Sequence, residues 1–520
     1  FIGAGRTAGV FQLEGTGMTR YITQMKPKNV DNVIAMVALY RPGPLEFIPQ
    51  YIRRMHGEEK VDYRHPMLEP IFKETYGIAI YQEQLMFAAM NLAGYSASQA
   101  DELRKAISKK KADAIAEHRL RFIDGAQKNG IAVETAGEIF TDWENFARYG
   151  FNKSHAADYG VIAVQTAYLK CHYTVEYMTA VLSASKNETE KVAFYVADCR
   201  SMGIAVLPPD VTASEWDFSI EDQPEGKPAI RFGLGAVKNV GQGPVDLIIA
   251  ARREAPIRDL TDFAHRVDLR QVGKRALESL VRVGALDCFG SRLALLESLD
   301  RILSVSTSHF RAALSGQMSF FGAESGVSEE IVLPTGVSLD RREQLNWERE
   351  LIGLYVSDHP LNPYQPLLAK RVTHFSGQLG EVGKKEKVCV AGMVVRTRQH
   401  QTKDGKAMGF ATLEDMQGNL ELVLFPRTWD KFSRLFEADH VLVVEGKVDA
   451  ENGDPKILVD GVEEISEAEL AKAAAAPAVQ PAPAAAAAPA PRPQPAGTSW
   501  DMDDVPPPPD VDDWDSLPPP

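Results

Sequence analysis

Arg148-Tyr149-Gly150-Phe151-Asn152-Lys153-Ser154-His155-Ala156-Ala157-Asp158-Tyr159 packs aromatic, basic, hydroxyl and imidazole groups into one short stretch, which few core segments do. Gly150 can release the backbone from helical geometry. Lys153, Ser154 and His155 then offer an ammonium, a hydroxyl and a ring N–H to one small volume, a donor set that suits a phosphate. The apolar spacing from Ala156 to Lys170 predicts a helix that Asn152 or Ser154 can cap. Free backbone N–H groups at its start are then expected to face the same anion. The residue types fit equally well a polar helix cap with a satisfied histidine.

A second basic stretch, Arg104-Lys105-Ala106-Ile107-Ser108-Lys109-Lys110-Lys111, gathers five cations without one acid. Helical spacing sets Arg104 near Ser108 and Lys105 near Lys109. Like charges that close repel, so the run either awaits an anion or forms a solvated helix face.

The wording of these stretches is specific. Gly150-Phe151-Asn152-Lys153-Ser154-His155, followed by Tyr159, resembles the fingers motif of the replicative family C polymerases, the alpha subunits of bacterial DNA polymerase III. Gly9-Val10-Phe11-Gln12-Leu13-Glu14, Arg41-Pro42-Gly43-Pro44, Tyr76-Gly77-Ile78 with Tyr81-Gln82-Glu83-Gln84, and Leu103-Arg104-Lys105-Ala106 with Lys109-Lys110 resemble that family's other blocks in its order. With the later modules, the resemblance runs from residue 9 to about residue 465. It implies that Arg104, Lys105, Lys109, Asn152, Lys153, Ser154, His155 and Tyr159 surround the triphosphate of an incoming dNTP. Where relatives often carry Arg-Arg and Gly, this chain has Arg104-Lys105 and Ser108, and lysine lacks the planar fork of arginine. For Arg41 it implies a DNA-backbone contact, beside the plain reading of its prolines as a rigid turn that ends a helix.

The resemblance also implies chemistry outside this sequence. Nucleotidyl transfer by such enzymes uses Mg2+ held by palm carboxylates, and the family's acidic palm motif is absent from these residues. The chain starts at Phe1, without an initiator methionine and inside a family block. It is therefore expected to be a fragment from the fingers onward, with no catalytic residue and no metal ligand of its own, that binds but does not polymerise alone.

Five regions are expected. Residues 1–210 read as mostly helical fingers, with Asp31 to Tyr40, Gln82 to Leu92 and Val161 to Lys170 at helical spacing. Pro208-Pro209-Asp210 opens a helix-hairpin-helix region, 211–303, in which Phe232 to Asp246 gives a short helix, a Gly-x-Gly hairpin and a helix with Pro244 in its first turn. Its Gly241, Gln242 and Gly243, with Lys238, Lys274 and Arg275, are expected to grasp DNA phosphates without reading bases. Residues 304–386 read as a connector in which Ser304 to Asp340 loses periodicity and is expected to be exposed. Gln317, Ser319, Phe320 and Phe321 there resemble the family's sliding-clamp-binding peptide, and Trp347 to Tyr355 its link to the next domain. Residues 387–465 alternate as five strands with a helix near Pro426 to Phe436, the pattern of an OB-fold β-barrel. Arg396, Arg398 and Phe410, with Lys403 and Lys406, are its candidates for single-stranded template. Residues 466–520 form an Ala/Pro-rich acidic tail too poor in apolar bulk to fold.

A net charge of −14 sits awkwardly with DNA binding until its distribution is read. No basic residue follows Arg492, whereas seven aspartates from Asp501 to Asp515 carry half the excess. In the folded part, cations gather at 104–111 and between Arg231 and Arg292, where a local DNA footprint would need them. Isolated Cys171, Cys199, Cys288 and Cys389 argue against a disulfide framework or a paired-cysteine zinc site. No apolar run spans a membrane and no leader pattern precedes the first region, so the expected compartment is cytoplasmic. The partners implied are primer-template DNA, the sliding clamp, clamp-loader and proofreading exonuclease subunits. The alternatives left open are an error-prone family C paralogue and a non-catalytic DNA-binding scaffold.

Overall fold

The computed structural model describes residues 1–109, 111–146, 150–224, 226–314, 330–337, 339–368, 371–381, 386–402, 404–416, 418–449 and 455–465. All of these lie within one contact unit, Phe1–Leu470. The 466–520 tail and the peptide Gln317 to Phe321 fall outside the described residues.

The first core is built on helix Val30–Leu39, capped by the Asn29 side chain, which accepts from Asn32 N at 3.0 Å. Every residue from Asn32 to Leu39 is buried, so this helix is apolar all round and must be covered on every side. Helix Lys153–His172 crosses it with a ridge of small residues, Ala156, Gly160, Ala163 and Ala167, all buried. Gly160 is the closest approach: a Cβ there would lie 2.5 Å from Ile34 Cγ1 and 3.1 Å from Ile34 Cα. At the far end of the same helix Lys170 is fully buried, with Nζ 2.7 Å from Asp198 Oδ2 and 2.7 Å from the Ala8 carbonyl. The site helix is thereby tied to helix Thr189–Ser201 and to the N-terminal loop.

Helices Gln82–Ala93, Ala97–Ser108, Ala112–Lys128 and Val133–Phe146 form a second core. Phe122, Phe140 and Trp143 meet there with ring centroids 4.6 to 6.0 Å apart. The third core begins with a small sheet, β1 (Val206–Leu207), β2 (Ser219–Asp222) and β3 (Pro228–Arg231), ordered β1-β3-β2. Helices from Gln242 onward complete it. One expectation fails here, because the presumed exposed connector starts as helix Leu299–Leu314. Leu299, Ile302, Val305 and Ser306 face inward, and Ser306 Oγ donates to Val267 O at 3.0 Å while accepting Leu269 N at 3.1 Å. A buried serine and a polar outer face hid the helical period.

Beyond the undescribed segment, helix Arg341–Ile352 carries Glu348, 0% exposed, into an ion pair with Arg292 at 2.9 Å. Its other oxygen accepts Val356 N at 2.8 Å and Ser357 N at 3.0 Å, so the carboxylate is paired and solvated by protein. The last core is a closed barrel of β4 (Lys387–Gln401), β5 (Ala407–Glu414), β6 (Asn419–Leu424), β7 (Val441–Asp449) and β8 (Lys456–Glu464). The order is β4-β5-β6-β8-β7, with β6 and β8 parallel and the other pairs antiparallel. All five expected strands are present, and the helix expected near Pro426 runs over Pro426–Phe432. Leu345, Tyr355, Leu361 and Leu368 cover the outward Ala391, Met393, Val441 and Val443.

Three substitutions test this packing. Gly160→Val should destabilise the chain by about 1–3 kcal/mol through overpacking. Gly137→Ala, in helix Val133–Phe146 with open space around its Cβ, should instead be neutral to stabilising by up to about 1 kcal/mol. Denaturant titration of both variants checks the pair. Glu348→Ala, which leaves the buried Arg292 guanidinium with Asp287 as its one carboxylate and the Val356 and Ser357 amides without their acceptor, should cost about 1–3 kcal/mol in the same titration. A loss under about 1 kcal/mol would refute that account of the ion pair.

Candidate nucleotide and nucleic-acid interface

Phe151 anchors the central motif to the helical body. Its N–H donates to Ile80 O and its carbonyl accepts Gln82 N, each at 2.9 Å, in an isolated parallel bridge with Tyr81. Gln82 joins two stretches far apart in sequence: its amide nitrogen donates to Gly150 O at 3.0 Å, and its amide oxygen accepts from Arg104 at 3.0 Å. Helix Lys153–His172 starts three residues earlier than the apolar spacing predicts, capped by Asn152 Oδ1, which accepts His155 N at 2.9 Å. Glu83 Oε2 accepts Lys153 N at 3.0 Å. Two of the amides expected to be free for an anion are thus already satisfied.

Ring side chains of the motif form a row along the helix. Ring centroids are 5.6 Å apart for Phe151 and His155, 4.4 Å for His155 and Tyr159, and 5.3 Å for Tyr159 and Phe11. Arg41 lies over the Phe151 ring at 4.5 Å and donates to Ala38 O at 2.8 Å, and burial lowers its pKa from the ordinary arginine value. Arg41 therefore acts here as a packing cation. Asn152, Ser154 and His155 are exposed, and Lys153 and Tyr159 half-buried.

The cations are not bare. Lys153 Nζ sits 2.9 and 2.8 Å from the two Glu74 oxygens and 5.5 Å from the centre of the Tyr81 ring. Arg104 and Lys105 each approach Asp101 to 2.6 Å, and their hydrogen bonds, that of Lys105 foremost, hold its carboxyl below the usual range. The repulsion expected within 104–111 is thus relieved from one helical turn upstream. Ser108 and Lys109 are exposed, and Lys110 lies outside the described residues. A cleft lined by Arg104, Ser108, Gln82, Gly150, Phe72 and Trp143 has a volume of about 10 Å³, room for about one water. A larger anion has to be met on the surface.

In the third core Gly241 caps helix Gln242–Glu254, with Pro244 in its first turn. Gly241, Gln242 and Gly243 are exposed, and a Cβ on Gly243 would meet nothing within 4 Å. A ligand backbone can come close there. The first helix expected for this hairpin is only a 3-10 turn, Leu234–Ala236. Most cations of 231–292 are tied internally: Arg231 to Glu221 at 2.7 Å, Arg252 to Glu215 at 2.5 Å, Arg270 to Asp268 at 2.7 Å and Arg282 to Glu278 at 2.6 Å. Lys238 Nζ donates to Glu350 O at 2.8 Å, closing the end of helix Arg341–Ile352, and Lys274 pairs with Asp300 at 2.6 Å. Arg275 is exposed at the start of helix Lys274–Arg282. The basic count of this region overstates its positive surface.

On the barrel, a bulge between Val394 and Arg396 shifts the register of β4 against β5. Before it the odd residues Ala391 and Met393 face outward beneath the covering connector. After it Arg396, Arg398 and His400 pair with Thr412, Phe410 and Met408. Arg396, Arg398, His400 and Phe410 are all exposed, so the candidates are brought together on one uncovered face. Lys406 is exposed at the start of the next strand, whereas Lys403 lies outside the described residues. Among the described residues no cluster of His, Cys, Asp or Glu is placed to hold a metal ion. No described helix is long and apolar enough to cross a membrane.

Glu74, Asp101, Gln82, Glu83 and Phe11 belong to this interface although residue types alone did not mark them. Gln82, Glu83 and Phe11 stood inside the family-like blocks, which was the available signal.

The chain is built in series from a helical region, a hairpin module and an OB barrel. Residues 1–130 match the bacterial DNA polymerase III alpha subunit finger domain, residues 203–295 the helix-hairpin-helix motif, and residues 388–465 the OB-fold nucleic acid binding domain. The chain is 43% identical to DNA polymerase III subunit alpha of Thermus aquaticus over 477 residues, 89% of this chain and 38% of that protein. It is 40% identical to the Escherichia coli K12 subunit over 480 residues and 39% identical to that of Vibrio cholerae over 476, each 89% of this chain and 41% of the relative. The chain is thus similar to bacterial DNA polymerase III alpha subunits over most of its own length and spans about two fifths of the length of the relatives it matches.

Proposed function

We propose that this chain supplies the fingers, helix-hairpin-helix, clamp-binding and OB-fold regions of a replicative DNA polymerase III alpha subunit. In that role it binds incoming dNTP and primer-template DNA during template-directed 5′ to 3′ synthesis. The observation that carries the reading is the Gln82 bridge. It sets the cations at Arg104 and Lys105 beside the Gly150 to Tyr159 motif, giving two charged clusters and a row of rings one shared surface. Lys153, Arg104, Lys105 and Lys109 would make charge-assisted contacts to the triphosphate. Asn152 orients the helix that carries Lys153, Ser154 offers a hydroxyl, and His155 and Tyr159 present ring faces to the sugar and base.

The remaining regions would hold the nucleic acid. Gly241, Gln242 and Gly243 present the start of a helix to a duplex phosphate, with Arg275 and the second protons of Lys238 and Lys274 nearby in the module. Arg396, Arg398 and Phe410 would take single-stranded template by charge and stacking. Gln317, Ser319, Phe320 and Phe321 would dock on the sliding clamp, and clamp-loader and proofreading subunits would join the same assembly. The carboxylates that hold Mg2+ would lie in a palm domain outside these residues, and no step through a metal falls to the residues described. A replication role places the protein in the cytoplasm. The domain limits proposed are 1–210, 211–303, 304–386, 387–465 and 466–520.

In the full-length protein, Lys153→Ala and Arg104→Ala should raise the KM for nucleotide about tenfold or more while weakening primed-DNA binding far less, since hydrogen bonds to charged groups contribute about 1.5–3 kcal/mol. Steady-state incorporation and DNA titration measure the two. Normal nucleotide affinity with lost DNA affinity in both variants would move these residues to the DNA site. For the barrel, the Arg396→Ala/Phe410→Ala double variant should weaken single-strand binding about tenfold or more, as a stacked base contributes about 1–3 kcal/mol, and should leave duplex binding intact. Equal loss on both substrates would refute the template assignment.

A further inference from the structure

We infer that Glu74 is a positioning residue of the proposed triphosphate site: its carboxylate holds the Lys153 ammonium in place of a phosphate, and the incoming anion must exchange with it. The inference rests on the nucleotide reading above. Both Glu74 oxygens lie on one ammonium, at 2.9 and 2.8 Å, the arrangement two non-bridging phosphate oxygens would adopt. The Lys153 and Glu74 side chains are 43% and 37% exposed, so an anion from solvent reaches the pair directly. Ion pairs this open to water are weak enough to exchange.

The pair is nevertheless built on fixed backbones. Glu74 belongs to the 3-10 turn Lys73–Thr75, which ends on Tyr76 at φ 53°, a left-handed conformation uncommon outside glycine. Arg54 donates to Tyr76 O at 3.1 Å, and the buried Gln84 amide donates to Thr75 Oγ1 at 2.8 Å, which pins the turn. Lys153 is held from the other side by Glu83 at its backbone N–H. Two mobile surface chains that happened to meet would not need such support. The pattern recurs at Asp101, which occupies both Arg104 and Lys105. Each cluster of cations thus has its own carboxylate.

The consequence is an affinity set below what bare cations would give. A triphosphate gains the lysine and loses nothing but a weak internal pair, yet that loss is subtracted from its binding. The same subtraction applies to the diphosphate released by nucleotidyl transfer, which would otherwise be retained by the same cations. Glu74 would therefore tune both nucleotide entry and pyrophosphate exit without touching the reacting atoms.

The test is nucleotide incorporation on primed DNA by the full-length protein. Glu74→Gln should lower the nucleotide KM about two- to fivefold, the range set by exposed ion pairs, with kcat unchanged, and should strengthen inhibition by added pyrophosphate by a similar factor. In a Lys153→Ala background, Glu74→Gln should change nothing further. If Lys153→Ala raises KM but Glu74→Gln leaves or raises it, this inference is overturned and the nucleotide site stands. If Lys153→Ala itself leaves KM unchanged, the nucleotide reading fails and takes this inference with it. A fall in KM that persists without Lys153 means that Glu74 acts through its general field, which also overturns the exchange. Should thermal melting show Glu74→Gln unfolded, Glu74→Asp, which shortens the carboxylate's reach to Lys153, is read with and without Lys153→Ala by the same criteria.

Discussion

Gly160 against Ile34 is the contact on which the placement of the interface depends. Helix Val30–Leu39 is buried from Asn32 to its end, so whichever element covers it is fixed in depth and rotation by side-chain packing. Small residues at 156, 160, 163 and 167 let helix Lys153–His172 lie close, and that closeness aims its first turn at the Tyr81 to Gln84 segment. There Phe151 and Gln82 can complete their hydrogen bonds. The last turn is held as firmly, because a lysine with no exposed surface must satisfy its charge, and Asp198 and the Ala8 carbonyl do so. A helix pinned at both ends and along its middle is a rigid platform for the side chains of its first two turns.

Charge in this chain is organised in pairs. Runs of lysine and arginine look unopposed when read alone, but Asp101 and Asp268 pair with them from a few residues away, and Glu74, Glu215 and Glu221 from farther along the chain. Positive surface is therefore scarcer than the sequence suggests. The post-bulge half of β4 has some, with Arg396 and Arg398 exposed beside an exposed aromatic ring. Exposed pairs are individually weak, so the pairing keeps the cations ordered while leaving them exchangeable.

Much of this architecture was legible from periodicity. Apolar alternation gave all five barrel strands, though β4 and β8 run on to Gln401 and Glu464, because their ends carry polar residues that blur the period. Helix Lys153–His172 was visible from its alanines and aliphatics, yet its true start lay in the polar motif itself, where Asn152 caps. Helix Leu299–Leu314 was read as a loop from residue 304, since a buried Ser306 interrupts the apolar stripe. At the interface, the donors could be named from composition and family-like wording, and Asp101 lies within a helical turn of Arg104 and Lys105, whereas the acceptors of Lys153 could not be named. Glu74 is 79 residues from Lys153 and Glu83 is 70 residues from it. Nothing local in a sequence marks such partners, and only the bridge at Phe151 brings them together.

The barrel shows how one backbone irregularity divides two roles along a single strand. Before the bulge in β4, outward residues are apolar and are covered by Leu345, Tyr355, Leu361 and Leu368 from the connector. Without the bulge the same parity would continue, and Arg396 and Arg398 would point into a core of Val394, Leu413 and Leu422, where unpaired guanidinium groups are prohibitive. The extra residue inverts the alternation, so the arginines face solvent just where the connector's cover ends. The connector is itself locked to the hairpin module by Glu348 and Arg292, both essentially without exposed surface. A buried pair of that kind tolerates little sliding, since separating the charges leaves each one desolvated. The connector thus packs on the covered face of the barrel at one end and is ion-paired to the hairpin module at the other, which couples the position of the barrel to that module.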